Sequence, residues 1–301
     1  MKLTYKAGTD DTGRTVKHIL KNRMGLSERL TKKLKYQHMI TLNSSPVHVN
    51  ITVRSGDIIE ALMDCDEEES GIIPENIPIS IIYEDDSLIA VDKQPNIVVH
   101  PTCSHLSGTI ANALAYHFQL KGIKHVIRPV SRLDRDTSGI IVFAKNPFVQ
   151  EHLIRQINGK TFSKEYIGVV HGKLGQNEGT IDLPIDRKPG SIMERHISPA
   201  GLKSVTHYRV IEQYDKASFL SFRLETGRTH QIRVHCQAIG HPLIGDSLYP
   251  SPVESYNDFP IQRQALHSFR TTFIHPVSGN PLELNSPIPS DINALLEIIR
   301  K

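Results

Sequence analysis

Apolar positions change period several times along this chain, and each change predicts an element. Val16, Ile19 and Leu20, then Leu26, Leu30 and Leu34, recur at helical spacing. They predict two short helices between Thr15 and Leu34. Gly25 interrupts the run, and Ser27 is placed to cap the second helix with its hydroxyl. Short β-like pieces follow at 39–42 and 47–53, with Asn43-Ser44-Ser45-Pro46 as the turn, and Gly56-Asp57 turns the chain again before Ile58 and Ile59. Beyond this helix–helix–β unit, 79–83 and 88–91 read as a strand pair across Glu84-Asp85-Asp86-Ser87. A helix is expected at 109–119, and strands at 140–144, 164–170, 204–212 and 218–225. A second helix at 229–238 stops at Gly240 and Pro242, and Ser290 caps a last one over 291–299. The fold class is α+β: a mixed, strand-rich body with a few helices, preceded by a small helical and β unit.

Composition adds limits. The chain has 301 residues, 39% apolar and 22% charged, which suits a soluble protein of two domains, or of one large domain with an appendage. No apolar run reaches the ~18 residues of a spanning helix, and Met-Lys-Leu-Thr-Tyr-Lys lacks a signal-peptide core. A cytoplasmic protein without membrane association is expected. Cys65, Cys103 and Cys236 are odd in number and far apart, which suggests reduced thiols and no Cys-rich zinc site. The net charge of +3 is unevenly spread. Residues 1–63 hold eleven Lys/Arg against five Asp/Glu, whereas 64–86 hold nine Asp/Glu and no Lys/Arg. The expected organisation is a basic unit at 1–63, an acidic linker at 64–78 and a main body at 79–301. The basic unit suggests an anionic partner. A solvated basic helix face is the plainer alternative.

Three segments could carry chemistry. The first is Ser131-Arg132-Leu133-Asp134-Arg135-Asp136-Thr137-Ser138-Gly139, which runs into the apolar Ile140–Ala144 stretch. A charged loop fed into a buried strand can hold a carboxylate in one geometry. It can equally be a solvated turn whose charges pair with each other. Asp136 precedes Thr-Ser-Gly and suits side-chain–backbone turn bonding. Asp134, between Arg132 and Arg135, is left as the candidate nucleophile or base. The second segment is Glu225-Thr226-Gly227-Arg228-Thr229-His230-Gln231-Ile232-Arg233-Val234-His235. Arg228 is placed to fork onto a carboxylate or phosphate. His230 and His235 are five apart rather than four, which argues against a zinc pair and for helix-terminal hydrogen bonding. The third is Phe162-Ser163-Lys164-Glu165-Tyr166, where an aromatic beside cations could stack on a base, although packing alone also explains it. No Gly-rich phosphate loop and no Ser or Cys nucleophile motif is present.

In order along the chain, these segments resemble the RluA/RluD family of pseudouridine synthases. Arg132–Gly139 is similar to that family's Arg-Leu-Asp signature. Further similarity runs through Tyr83-Glu84-Asp85-Asp86, Asp92-Lys93-Gln94-Pro95, Val99-His100-Pro101, Lys164-Glu165-Tyr166, 226–235, 240–246 and Ala265-Leu266-His267. Residues 13–62 resemble, more loosely, an S4 RNA-binding domain. Ser131 stands where the family usually has His, and Asp92-Lys93-Gln94-Pro95 replaces Asn-Lys-Pro.

The resemblance implies a mainly antiparallel, mixed-sheet catalytic domain flanked by helices and loops, with a small S4-like domain before it. It implies cofactor-free, metal-free conversion of uridine to pseudouridine in structured RNA; the S4-like unit favours ribosomal over transfer RNA, and a monomer is the default expectation. Asp134 would be the catalytic carboxylate and Arg228 its ion-pair partner. Tyr166 would stack beneath the base and serve in proton transfer. Arg132 would fill the space left by the flipped base, and Ile232 would form the opposite wall. Lys32, Lys33 and Lys35 would contact phosphates. Two other classes stay open. One is an RNA-binding or ribosome-assembly factor whose catalysis is dispensable. The other is a glycoside hydrolase using Asp134 and Asp136, for which a two-residue spacing on one loop is poorly suited.

Overall fold

The computed structural model describes residues 1–63, 71–102, 105–123, 126–251 and 259–301. The N-terminal unit contains β1 (Lys2–Lys6), a 3-10 turn (Thr9–Asp11), α1 (Val16–Asn22), α2 (Glu28–Tyr36), β2 (Ile40–Leu42), β3 (Ser45–Pro46) and β4 (Ile58–Leu62). Its antiparallel sheet has the order β1-β4-β2-β3. The expected helices form, capped by the Thr15 and Ser27 hydroxyls on the N–H groups of His18 and Leu30. All six apolar positions of the helical pattern are buried. These strands and helices fit an S4-like domain.

The unit departs from the expected pattern in two places. β1 carries exposed Lys2, Thr4 and Lys6 beside half-buried Leu3 and Tyr5, so its apolar signal is weak. The strand expected at 47–53 does not form. The chain reverses at Asn43 and Ser44, both with positive φ, and the carbonyls of Val49 and Ile51 instead accept the N–H groups of Lys17 and Val16. Those donors belong to the first turn of α1, which has no partner inside its own helix.

The body continues with β5 (Ser80–Glu84), β6 (Leu88–Lys93), α3 (Ile110–Leu120), β7 (Arg128–Pro129), β8 (Ser138–Ala144), α4 (Pro147–Asn158) and β9 (Ser163–His171). Then come β10 (Glu178–Asp182), β11 (Ile185–Arg187), β12 (Arg195–Ile197), β13 (Val205–Gln213), β14 (Ala217–Leu224), α5 (Gln231–Ala238), β15 (Leu266–Ile274), β16 (Pro281–Asn285) and α6 (Ser290–Ile299). The main sheet has the order β10-β13-β14-β9-β15-β8-β6-β5, with β16 on β15 and β7 on β8. Its pairings are antiparallel except β15 with β8, so the sheet is mixed and mainly antiparallel, as expected. At the parallel pairing the strands lie so close that a Cβ on Gly139 (φ +105°) would sit 2.2 Å from the Ser268 carbonyl oxygen. The β11–β12 hairpin stands apart as a two-stranded sheet.

One apolar cluster runs from α1 and α2 through Leu88, Val142 and Phe148, so the N-terminal unit is packed onto the body. Polar contacts reinforce that seam. Ser27 donates to Glu151 at 2.8 Å, and Arg155 donates to the Gly25 carbonyl at 2.8 Å. Of the expected linker, 64–70 lie outside the described residues. Residues 71–78 lie along the body: Ile72 and Ile77 pack against the cluster that contains α3, and Asn112 donates to the Ile73 carbonyl.

Candidate active site

The loop before β8 is held by its own backbone oxygens. Thr137 N–H donates to the Asp134 carbonyl at 3.2 Å, Lys93 Nζ to Arg135 O at 2.7 Å, and Arg263 Nη1 to Asp136 O at 3.1 Å. Lys93 is fully buried and also donates to Gln94 O and Ile97 O. Three carbonyls therefore match the three hydrogens of an ammonium. Burial pushes its pKa down to about 7, against the pull of Asp136 and Asp134. Asp136 forks with the Arg135 guanidinium at 3.0–3.2 Å, a charge pairing within the loop in place of the side-chain–backbone turn bond expected of it. The Asp134 side chain, about one-quarter exposed, faces a cleft of about 1330 Å³.

Across from Asp134 stands the first turn of α5. Arg233 Nη1 lies 3.4 Å from Asp134 Oδ2. Its Nε and Nη2 each donate to Asp246 at 2.7 Å, and Asp246 is itself buried and accepts the N–H groups of Leu248 and Tyr249. Burial works against the Arg233 charge, but Asp246 and Asp134 together raise its pKa. The arginine is thus aimed by one carboxylate and shared with another. His230, left-handed at φ 58°, bonds Tyr249 Oη through Nδ1 at 2.9 Å and brings Nε2 to 4.0 Å from Asp134. Burial lowers its pKa despite Asp134's charge, which favours a neutral imidazole near neutral pH.

The expected pairing of Asp134 with Arg228 is therefore corrected. Arg228 is exposed, donates its Nε to the Lys203 carbonyl at 3.3 Å and gives its N–H to the Gln231 side chain. It precedes α5, whereas Arg233 lies in the run 231–236, all of it buried. Arg228 still lines the cleft. Tyr166 on β9 and Ile232 on α5 are buried, share one apolar cluster and both line the cleft. Burial, with Asp134's charge added, pushes the Tyr166 phenol's pKa well up, so it stays protonated at neutral pH. Among the described residues, six Lys and Arg line the cleft against two carboxylates, Asp134 and Glu225. Glu225 is held near pKa 2, first by its bond to Lys160 and then by His207.

A family model described as RNA pseudouridylate synthase matches residues 87–238. The chain belongs to that family. An uncharacterised RNA pseudouridine synthase of Bacillus subtilis is 38% identical over 275 residues, covering 91% of this chain and 95% of its own. Ribosomal large subunit pseudouridine synthase D of Pasteurella multocida is 37% identical over 276 residues, covering 88% and 84%. Among solved structures, human RNA pseudouridylate synthase domain containing 1 has a TM-score of 0.58 at 24% identity, covering 75% of this chain and 96% of that one. That last likeness is one of fold. The expected activity, an RNA pseudouridine synthase and hence an isomerase, follows from the family.

In this pseudouridine synthase the remaining expected residues fall into two places. Arg132 is exposed on the cleft wall beside Asp134. Ser131 accepts a bond from Lys164 Nζ at 2.5 Å, and burial pushes the Lys164 pKa down to about 8. Lys32, Lys33 and Lys35 ride on α2 and are not among the residues that line the cleft. Sequence reasoning missed Lys93, Arg233 and Asp246, and it gave His230 a helix-terminal bond that its side chain does not make. Each stands in a segment it had singled out for resemblance, but only packing separates inward from outward side chains there. His235 has a structural role but not the helix-terminal one expected: it bonds Thr206 of β13 and the Leu183 carbonyl. Among the described residues, no cluster of three or more His, Cys, Asp or Glu could hold a metal, and no helix is long and apolar enough to cross a membrane.

Proposed function

We propose that the chain isomerises one or more uridines of ribosomal RNA to pseudouridine, with Asp134 as the catalytic carboxylate. The observation that carries this is Asp134 at the mouth of a cation-lined cleft, 3.4 Å from an arginine that Asp246 aims. The cleft's cations suit a polyanion. Attack at C1′ and removal of a sugar proton both require the carboxylate ionised, and Arg233 supplies its counter-charge. A target uridine must leave its stack to reach Asp134, at a cost of a few kcal/mol. Tyr166 offers a stacking face for the base, worth about 1–3 kcal/mol, and a protonated phenol for exchange at C5. Arg132 occupies the gap in the RNA, Ile232 forms the apolar wall, and the α2 lysines add phosphate contacts. Ribosomal RNA is favoured because relatives of comparable identity are named for the ribosomal large subunit. The working form is a cytoplasmic monomer using no cofactor.

Carbodiimide mapping of pseudouridine in RNA from host cells lacking the chain tests this reading. Sites absent from the large-subunit RNA should return with the wild type and not with Asp134→Ala. Return with both proteins would favour a binding factor, and return only in transfer RNA would move the substrate.

A further inference from the structure

The β11–β12 hairpin stands off the main sheet, and its tip carries two apolar side chains in solvent: Ile192 is 84% exposed and Met193 62%. The tip is not loose. Ser191 Oγ accepts the N–H groups of Met193 and Glu194, and the Arg195 guanidinium donates to the Met193 and Glu194 carbonyls. Lys188 pairs with Glu194 at 2.9 Å, and Lys188 N–H donates to the Glu194 carbonyl. The turn's polar groups thus satisfy one another, and the apolar pair is presented outward on a rigid support. Arg187 and Arg195 flank it along the strands.

The hairpin is joined to the active site from the strand end next to its tip. Arg195 N–H donates to Tyr249 Oη at 2.7 Å, and the same oxygen bonds His230, whose Nε2 is 4.0 Å from Asp134. The Arg233 guanidinium lies over the Tyr249 ring, 5.0 Å from its centroid. Ile185 packs with Val234 of α5 and with Tyr249, and Ile197 joins them. Bonds and packing therefore run without a break from the hairpin to the residues around Asp134. Aliphatic side chains held on a rigid support beside a cationic surface are suited to enter between stacked bases, as apolar wedges do.

We propose that Ile192 and Met193 form a wedge that enters the substrate RNA next to the target uridine, and that Tyr249 couples its engagement to His230 and Asp134. The occupant is RNA because Arg187 and Arg195 flank the wedge, and the hairpin is bonded through Tyr249 to His230, which lines the cation-rich cleft. The proposal rests on the reading of that cleft as the RNA site. Both side chains are exposed, so changing them should leave the fold intact.

Two measurements test it. The chain contains no Trp, so Ile192→Trp introduces a single fluorophore. Titration with a large-subunit ribosomal RNA transcript should quench it saturably, while Ile298→Trp, on a helix that does not line the cleft, should not respond. Ile192→Ser/Met193→Ser should lower kcat/KM at least tenfold on the folded transcript. It should lower it less than threefold on a short unpaired oligonucleotide, which has no stack to open. Absence of quenching, or equal loss on both RNAs, overturns the wedge. Quenching by an RNA that the wild type never modifies would leave the wedge standing and sink the proposed substrate.

Discussion

Replacing Arg233 by Met separates the observed pairing from the one expected at Arg228. In the folded chain the Arg233 side chain is 8% exposed and Asp246 is fully buried. The methionine fills similar volume but leaves Asp246 with only two backbone N–H donors, from Leu248 and Tyr249. Breaking a buried pair from one side typically costs about 3–5 kcal/mol. For a body of this size that is roughly 6–20 °C in Tm, at about 2–4 °C per kcal/mol. Arg228 is exposed and bonded to one carbonyl, so Arg228→Ala should shift stability by no more than about 0.5 kcal/mol. Urea unfolding followed by circular dichroism gives the stabilities, and pseudouridine formation gives kcat. A second change, Arg233→Met/Asp246→Leu, removes both buried charges and should recover most of the lost stability. It should not recover kcat, because Asp134 still lacks its counter-charge. The reasoning fails if Arg228→Ala matches Arg233→Met in both assays, or if the double variant regains turnover.

Other outcomes follow from the same geometry. Lys93→Met strips the donor from three carbonyls, each worth about 1–3 kcal/mol when left unsatisfied, but also removes a buried charge. A net loss near ~2 kcal/mol with a fall in kcat is expected, and unchanged kcat would count against a positioning role. The Lys93 pKa is lowered to about 7. The unfolded chain therefore binds more protons between about pH 7 and 10, and wild-type stability gains with rising pH from this group. Lys93→Met should lose that gain, and parallel urea-midpoint profiles at about pH 7 and 9 would contradict it. Gly139→Ala meets the Ser268 carbonyl at 2.2 Å and adopts a disfavoured φ, so folded yield should collapse; a normal melting curve would refute the close strand approach. Changing Lys32, Lys33 and Lys35 to Gln should flatten the log–log salt dependence of RNA binding by roughly 2–3, if each neutralises one phosphate. An unchanged slope would remove α2 from the interface.

Much of this arrangement was legible in the chain because its local patterns agree with its packing. The 16–34 periodicity, the Ser27 cap, the strand pair around 84–87 and the apolar run after Gly139 all became the elements they predicted. Asp134 stood out because its segment resembles the family's Arg-Leu-Asp signature and Asp136 suited a turn role, not because a charged loop before a buried strand has no other use. The failures have a common physical origin. Residues 47–53 alternate like a strand but are taken up by the orphan donors of α1. α4 went unread although Asn146 caps it and Pro147 opens it, because its buried face is made by contact with β8, β15 and the N-terminal unit. Arg228 was preferred to Arg233 because both carry the same fork. Only the helical turn that buries 231–236 shows which of them faces Asp134.

The most direct measurement is tritium release from large-subunit ribosomal RNA carrying [5-³H]uridine, comparing wild type with Asp134→Asn. The C5 hydrogen leaves only when the base is rejoined to the sugar through C5. Release by the wild type and none by Asp134→Asn, with equal RNA binding by both, is the predicted result. Comparable release from Asp134→Asn would contradict the assignment of the catalytic carboxylate, and no release by a wild type that binds the RNA would contradict the reaction on that RNA.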